Sequence, residues 1–485
     1  MVMVALLTPP AAADYAIYTL PGGEYQLMLE GKVTYNPGGT ATLRHPRGTL
    51  HFSAGDLHVI RAPTPATLFG SKYRTVRRDG NVEEYLKLAQ WSLHNGLLDK
   101  CKRLLGEAWK IDSSHVRLRK MAGLMRYLNA SVPDSQKIRD HLKKTVGGRG
   151  LTMTRSRHFL LLHEPNQSVD AQTRKTRAQM RLDLLETVYE SYFLTFAFRG
   201  KYIRPPNYLL EVVLFDDHND FLQLERLMDV PVKQLAGFYS PDDNVSVFYD
   251  SGNSPQFKAL RQIRDDMATL QTAAKANRTA ASGQIIRMAK SIDLLIDITR
   301  ESEDVAVVSH ECLHHLAGAT SLFPREGNFV RWVHEGLASY FESAKQSRWS
   351  GVGVVDRDRI GYYRMLRSDP QRGSIEFIVS DLGFAVEAML GDQNAAYGQA
   401  WALTHFLFNR HFDRLMKYYE TITEIPIPDI DPDLPEEELK KRFLSRADKM
   451  VEAFDKAFGD RDRLQVEWRR YMSRLRTDLE KHARR

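Results

Sequence analysis

The sequence predicts an α+β architecture in which a small β-rich module and a helical module precede a larger mixed region, and three observations carry that reading. Residues 15 to 62 alternate apolar and polar side chains around Gly38-Gly39 and Pro46-Arg47-Gly48, the pattern of short strands joined by turns. Residues 82 to 130 follow a helical period instead, and from residue 151 onward strand-like runs give way to long helical segments. With 485 residues, 43% of them apolar, the chain has room for more than one domain, and its composition excludes collagen, coiled coil and wholesale disorder. The implied boundaries are 14–80 for the β-rich module, 81–150 for the helical module, 151–478 for the larger region and 479–485 for a charged tail.

Residues 1–13 contain an apolar stretch, Val2 to Leu7, and end in Ala-Ala-Ala before Asp14. The lack of a positive start and Pro9-Pro10 count against an export signal, but the apolar stretch and the Ala-Ala-Ala end fit a clipped one, which is the expectation. In the helical module, Ala89, Trp91, Gly96, Leu97 and Leu98 followed by Leu104 and Ala108 are like one tetratricopeptide-type helix pair. A single copy cannot make a solenoid, so an interaction or spacer module is expected. Residues 101–150 hold twelve Lys and Arg against four Asp and Glu, an excess larger than the whole-chain net charge of +7. Clusters such as Arg117, Arg119 and Lys120, and Lys143 and Lys144, read first as a solvated helix face; the alternative is a surface for an anionic polymer or a partner protein. No nucleic-acid motif accompanies them, and no specific nucleic acid is expected. Two cysteines, Cys101 and Cys312, cannot make a disulfide framework, and no stretch reaches the roughly 18 apolar residues needed to span a bilayer.

In the larger region Leu210 to Phe215 and Val245 to Tyr249 read as β-strands, with Ser240-Pro241-Asp242-Asp243 as a turn. A helix is expected next. Ser302 can cap its start, Glu303 and Asp304 place acids in its first turn, and Gly318 stops it. Val305, Ala306, Val307, Val308, Leu313 and Leu316 make it mostly buried. Inside it stands His310-Glu311-Cys312-Leu313-His314. Positions i and i+4 project from one helix face, so both imidazoles reach one metal ion, while Glu311 sits beside the open position where water binds. A chain of this composition writes the spacing by chance about 0.03 times. The alternative is a buried helix whose histidines only satisfy core hydrogen bonds. Cys312 points away from the His310 and His314 face and reads as a buried filler, and His315 and His334, each turned about 100° from its neighbouring ligand, read as packing or surface histidines.

Two histidines are too few ligands. The third His of an HExxHxxGxxH pattern is absent, because Ala317 and Thr320 occupy the matching positions. A second helix, Trp332-Val333-His334-Glu335-Gly336-Leu337-Ala338-Ser339-Tyr340-Phe341-Glu342, supplies Glu335 after 20 intervening residues. Ala319 to Asn328, with Pro324 and Gly327, reads as the loop between two antiparallel helices. Trp332, Glu335, Ser339 and Glu342 share one face, so Ser339 or Glu342 can orient a histidine by accepting its other N–H. For Glu342 a solvated helix charge is an equal alternative.

HECLH followed by W-V-H-EGLASYFE resembles the gluzincin branch of the peptidase-MA clan, and more narrowly a bacterial family of unknown function whose members look like exported zinc peptidases. The segments Ser156 to Leu162, Gly237 to Pro241, Tyr397 to Leu403 and Ala457-Phe458-Gly459 fit that family, so the resemblance covers roughly residues 150 to 478. It implies a zincin-like catalytic domain with Zn2+ held by His310, His314 and Glu335. A zinc-bound water has its pKa lowered towards about 7, and Glu311 would take its proton and pass it to the leaving amine. The resemblance also implies an oxyanion donor from a later helix. Tyr397 is the first candidate and His405 the second, since eight residues are near two helical turns and both can face one cleft if Asn394 to Asn409 is one helix. The alternative is that Tyr397, Trp401 and His405 form the stripe of a packing helix. Gluzincins bind extended peptide along an edge strand, which the strand pair before the motif can supply, though these strands are equally explained as core sheet. The chain departs from the aminopeptidase pattern, which carries a Gly-x-Met-Glu-Asn strand, and from the small hydroxyl residue common near Ala400.

The expected function is therefore a zinc metallopeptidase acting on a peptide or protein substrate and exported to the periplasm, cell surface or medium. The alternative is a binding protein that keeps the metal but performs no hydrolysis. An intact Glu311 favours the enzyme, because metal retention alone requires no base there.

Overall fold

The computed structural model describes residues 12–483 apart from 21–22, 24–25, 148, 166, 168, 171–172, 229–235, 250–254, 278–279, 325–329, 344–348 and 426–433. The expected leader, residues 1–13, lies almost wholly outside the described residues, as do Gly327 and Asn328 of the expected loop and the end of the charged tail.

Alternation in the first segment produces a five-stranded antiparallel sheet of β1 (Ala12–Thr19), β2 (Gln26–Asn36), β3 (Thr40–His45), β4 (Gly48–Ser53) and β5 (Leu57–Pro63), in the order β4-β3-β2-β1-β5. The strands end at Pro63. Residues Pro65–Asp79 (α1), which the sequence placed in the β-rich module, are helical: Thr64 accepts a hydrogen bond from the Thr67 N–H, and Pro65 stands at the start where its missing N–H costs nothing. Helices α2 (Val82–His94), α3 (Leu98–Ile111), α4 (Val116–Asn129) and α5 (Gln136–Thr145) follow.

A second sheet is assembled from β6 (Thr152–Arg155), β7 (Phe159–His163), β8 (Leu210–Phe215), β9 (Gly237–Ser240) and β10 (Val245–Tyr249), with α6 (Arg177–Phe198) and α7 (His218–Leu227) in its connections. Its order is β6-β7-β8-β10-β9, with β7, β8 and β10 parallel and β6 and β9 antiparallel at the edges. Parallel strands covered on both faces need apolar side chains in both directions, which is why β7, β8 and β10 are buried at every residue. The strands read from the sequence as Leu210 to Phe215 and Val245 to Tyr249 are interior; the edge strand that packs beside the metal-motif helix is β9.

The rest is helical: α8 (Pro255–Asn277), α9 (Ala280–Ala319), α10 (Arg331–Phe341), α11 (Arg357–Leu366), α12 (Ile375–Val379), α13 (Leu382–Met389), α14 (Gln393–Arg410), α15 (Phe412–Thr421), α16 (Glu436–Phe458), α17 (Arg461–Arg474) and α18 (Asp478–His482). The helix carrying the motif does not start at Ser302. It starts at Ala280, because the chain from Gln284 to Ala317 has neither Pro nor Gly and keeps an apolar face throughout. Ser302 is a mid-helix residue whose hydroxyl donates to the Ile298 carbonyl, and Asp304 pairs with Arg181 of α6 at 2.7 Å.

Two bodies of apolar contact hold α9. Its first half buries Ile292, Leu295, Ile296 and Ile298 against Ala16, Leu29, Leu43 and Phe52 of the first sheet, where the His51 N–H also donates to Ser291. Its second half, with Val308, Cys312, Leu313 and Leu316, enters a core shared with α2, α3, α4, α6, α10 and α14. Each such fully buried side chain contributes about 1.5–3 kcal/mol. The basic helical segment is part of this core: Leu93, Cys101 and Leu104 are buried in it, and Lys102 pairs with Glu190 of α6 at 2.7 Å. No helix among the described residues is long and apolar enough to cross a membrane.

Candidate metal centre

One helical turn separates His310 from His314 on α9, and α10 presents Glu335 to both. One ligand atom from each of the three lies within 4.8 Å of the others. The Glu335 Oε2 is 3.1 Å from the His310 Nε2 and 3.6 Å from the His314 Nε2. Two nitrogens and one carboxylate oxygen converging in this way could hold a metal ion. All three side chains are 12% exposed, enclosed but reachable. Burial by itself would push the His310 imidazole down, but hydrogen bonds with Glu335 and Glu342 and the charge of Glu311 raise it to about 10. Burial also opposes the Glu335 carboxylate, and the two histidines hold it well below the ordinary glutamate range.

The outer contacts fix that geometry. Glu342 accepts from the His310 Nδ1 at 3.3 Å and from the Arg359 guanidinium of α11 at 2.7 Å. Against the opposing effect of burial, the charge of Arg359 and the bond with His310 bring the Glu342 carboxyl down to about 2. The side chain is therefore an ionised orienter of a histidine and not a solvated helix charge. Ser339, the other candidate for that role, has no hydrogen-bond partner for its hydroxyl among the described residues. Trp332 turns away from the cluster and packs on Tyr418 and Phe454. Near the far end of α10 the Ser343 N–H donates to Ser309, tying the residue next to Glu342 to the residue next to His310. At the near end Asp381 accepts the backbone N–H groups of Arg331 and Trp332 at 2.7 and 2.8 Å, meeting orphan donors of the first turn. Asp381 itself sits at φ +61°, a conformation an Asp tolerates better than most residues, and burial raises its carboxyl to about 6.

Glu311 stands between the histidines but outside the ligand set. Burial raises its carboxyl above the ordinary range, with Glu335 and Glu342 adding to the rise and the two histidines opposing it. Tyr397 is brought to the cluster: its ring lies 6.2 Å from the His310 ring, with Phe384 edge-on at 5.5 Å. The negative charge of Glu335, then burial, push its hydroxyl above the usual tyrosine range, while Arg331 and Arg359 pull the other way. The hydroxyl therefore keeps its proton. His405 is not brought there, although α14 is one helix as expected. Its Nε2 faces the Gly353 carbonyl at 3.3 Å and its Nδ1 faces the Tyr471 hydroxyl at 2.8 Å, so both nitrogens are committed, and burial lowers it to about 4. His315 is fully buried, with Ser246 3.0 Å from its Nδ1 and Tyr239 stacked on it. His334 is buried against Phe323 and lowered to about 3 by that burial, and Cys312 is buried in the core.

The residues missed from sequence are Arg359, Asp381 and Arg331, each far in the chain from the group it serves or without a motif of its own. Gly336 had a readable signal that only the fold explains. A Cβ there would lie 2.3 Å from the Thr404 hydroxyl and 2.8 Å from the Ala400 carbonyl, so α10 crosses α14 at a distance only glycine permits. Gly398 does the same on the other side, where a Cβ would meet the Tyr362 side chain at 2.5 Å. Gly336 of EGLASYFE thus sets how closely α10 approaches α14, and Gly398 of YGQAWAL how closely α14 approaches α11.

Residues 304–428 match the model of a family described as a protein of unknown function (DUF1570). That stretch holds the three convergent side chains together with Glu311, Glu342, Arg359, Asp381 and Tyr397, and it amounts to roughly a quarter of the chain. No curated protein and no solved structure matches the chain.

Proposed function

We propose that the chain is a zinc-dependent metallopeptidase of gluzincin type that acts on peptide or protein substrates after export. The observation that carries this reading is the convergence of His310, His314 and Glu335 beside a fourth group, Glu311, that is not drawn into the ligand set. The donor set suits Zn2+, which when bound would supply a Lewis acid and an acidified water. His310 and His314 hold neutral nitrogens toward the ion, Glu335 supplies the compensating charge, and Glu342 fixes the ring of His310 through its Nδ1. Glu311, its carboxyl raised toward neutrality, takes a proton from the attacking water and returns it to the leaving amine. Tyr397 keeps its hydroxyl proton and donates to the oxygen on which charge develops. The enclosed but reachable ligands leave the substrate carbonyl a way to this donor.

Native mass spectrometry of chain purified without chelators, paired with turnover of a broad peptide library, tests this. One zinc per chain is expected, lost in His314→Ala and Glu335→Gln. Glu311→Gln should keep the zinc and lower turnover by about 10²- to 10⁴-fold. A chain that takes up no metal, or a Glu311→Gln variant with undiminished turnover, refutes the assignment. Stoichiometric zinc with no hydrolysis of any peptide leaves a binding protein in its place.

A further inference from the structure

Two arginines flank Tyr397, and they differ in one respect. Arg359 stacks on the tyrosine ring, its guanidinium carbon 5.3 Å from the centroid, and spends its charge on Glu342. Arg331 approaches through Phe384, its guanidinium 4.8 Å over that ring, which itself meets Tyr397 edge-on. No carboxylate among the described residues pairs with the Arg331 guanidinium. Asp381 accepts the backbone N–H groups of Arg331 and Trp332 and makes no ion pair with the guanidinium.

Arg331 stands one helical turn before Glu335, so the two side chains leave α10 on the same face. Glu335 nevertheless turns to His310 and His314 and not to the arginine. The guanidinium covers Phe384, whose ring meets Tyr397 edge-on at 5.5 Å, and this chain of contacts brings it to the neighbourhood of the proposed reaction centre. A half-buried guanidinium with an aromatic floor and free N–H groups is a fork for a planar anion. It is held still by Phe384 and by the capped first turn from which it springs, so little ordering is needed when an anion arrives.

We infer that Arg331 anchors a carboxylate of the substrate beside the scissile bond, making the site selective for peptides with an acidic side chain or a free C-terminus at that position. This rests on the hydrolase reading for its setting, but the anion site can be measured without turnover. The side chain can be replaced without touching the cap, because Asp381 binds backbone groups.

The test uses the full chain, zinc-loaded and carrying Glu311→Gln, with fluorescein-labelled hexapeptides read by anisotropy. A single Glu is moved through a neutral amidated hexapeptide, and the neutral peptide is also presented as its free acid; the first series reports a side-chain carboxylate and the second a terminal one. One of the two should bind about 10- to 100-fold more tightly than the neutral amide, the range of a charge-assisted hydrogen bond. Arg331→Gln should erase that preference, Arg331→Lys should restore part of it, and Arg331→Glu should shift it to a lysine-bearing peptide. Equal binding of charged and neutral peptides, a preference that survives Arg331→Gln, or no peptide binding at all overturns the inference. Turnover of the chain with Glu311 intact is measured in parallel: hydrolysis without carboxylate preference sinks the Arg331 site alone, and preference without hydrolysis sinks the hydrolase reading alone.

Discussion

Two helices of this protein carry a pair of candidate site residues at a helical spacing, and only one pair converges. On α9, His310 and His314 are four residues apart, about 6 Å along the axis and nearly on one line of the surface. Their nitrogens meet the same carboxylate oxygen, 3.1 and 3.6 Å away. On α14, Tyr397 and His405 are eight residues apart, about 12 Å along the axis and turned by about 80°. Tyr397 reaches His310, while His405 is enclosed by Tyr340, Tyr471 and the Gly353 carbonyl. One turn of helix is a rigid ruler; two turns leave the second residue to whatever packs beside it.

The sharpest way to break this contrast is a pair of variants on α14. Tyr397→Phe keeps the ring that Phe384 and Arg359 pack against and removes only the hydroxyl, so kcat on a cleaved peptide should fall by about 10²- to 10³-fold with little change in Tm. His405→Gln should do the reverse. It disturbs two buried hydrogen bonds at a cost of about 1–3 kcal/mol, seen as a lower Tm, with kcat near that of the parent. An inactive but stable His405→Gln protein would return the donor role to that histidine.

Glu342→Gln probes the outer support of the converging pair. It weakens the hold on the His310 ring and leaves the Arg359 charge unpaired, so zinc affinity should drop by about 10- to 100-fold in competition with a fluorescent chelator. Unchanged affinity would mean the contact is incidental.

The pH dependence of metal uptake sharpens the comparison further. His310 of the metal-free protein titrates at about 10 against an ordinary 6.5, and metal takes only the neutral ring. Apparent zinc affinity should therefore rise about tenfold per pH unit from near pH 7 towards 10, with about one proton released per ion at pH 8 by calorimetry in two buffers. The stability of the chelated protein should run the opposite way. A folded-state value above the unfolded one contributes stability that is complete below about pH 6.5 and is lost as pH rises through about 10. A flat affinity profile over that window would show that no proton is held between His310 and Glu335.

The smallest expected effect concerns the crossing that brings α10 and α14 together. Gly336→Ala forces a methyl into the Ala400 carbonyl and the Thr404 hydroxyl and should lower stability by about 1–3 kcal/mol, by thermal or urea unfolding. If it is tolerated silently, the helices can part without loss and the close approach is not what positions Tyr397.

Much of this protein was legible without its fold. The i, i+4 histidines with an acid between them, and the apolar runs of β8 and β10, are written in local geometry that neighbouring residues alone enforce. Glu335 was readable as the acid of a second helix, and Glu342 as a residue on its face. Packing decided the rest. The start of α9 lies at Ala280 because the first sheet gives its early apolar face a partner, something Ser302 and the acids after it could not announce. The bond from Arg359 to Glu342 and the Asp381 cap on α10 join residues 17 and 49 or 50 positions apart. The direction of His405 was settled by Tyr471, 66 positions away. Sequence spacing determines which side chains share a face within about one helical turn; beyond that, the packing of helices, such as the crossing of α10 and α14 permitted by Gly336, determines which faces meet.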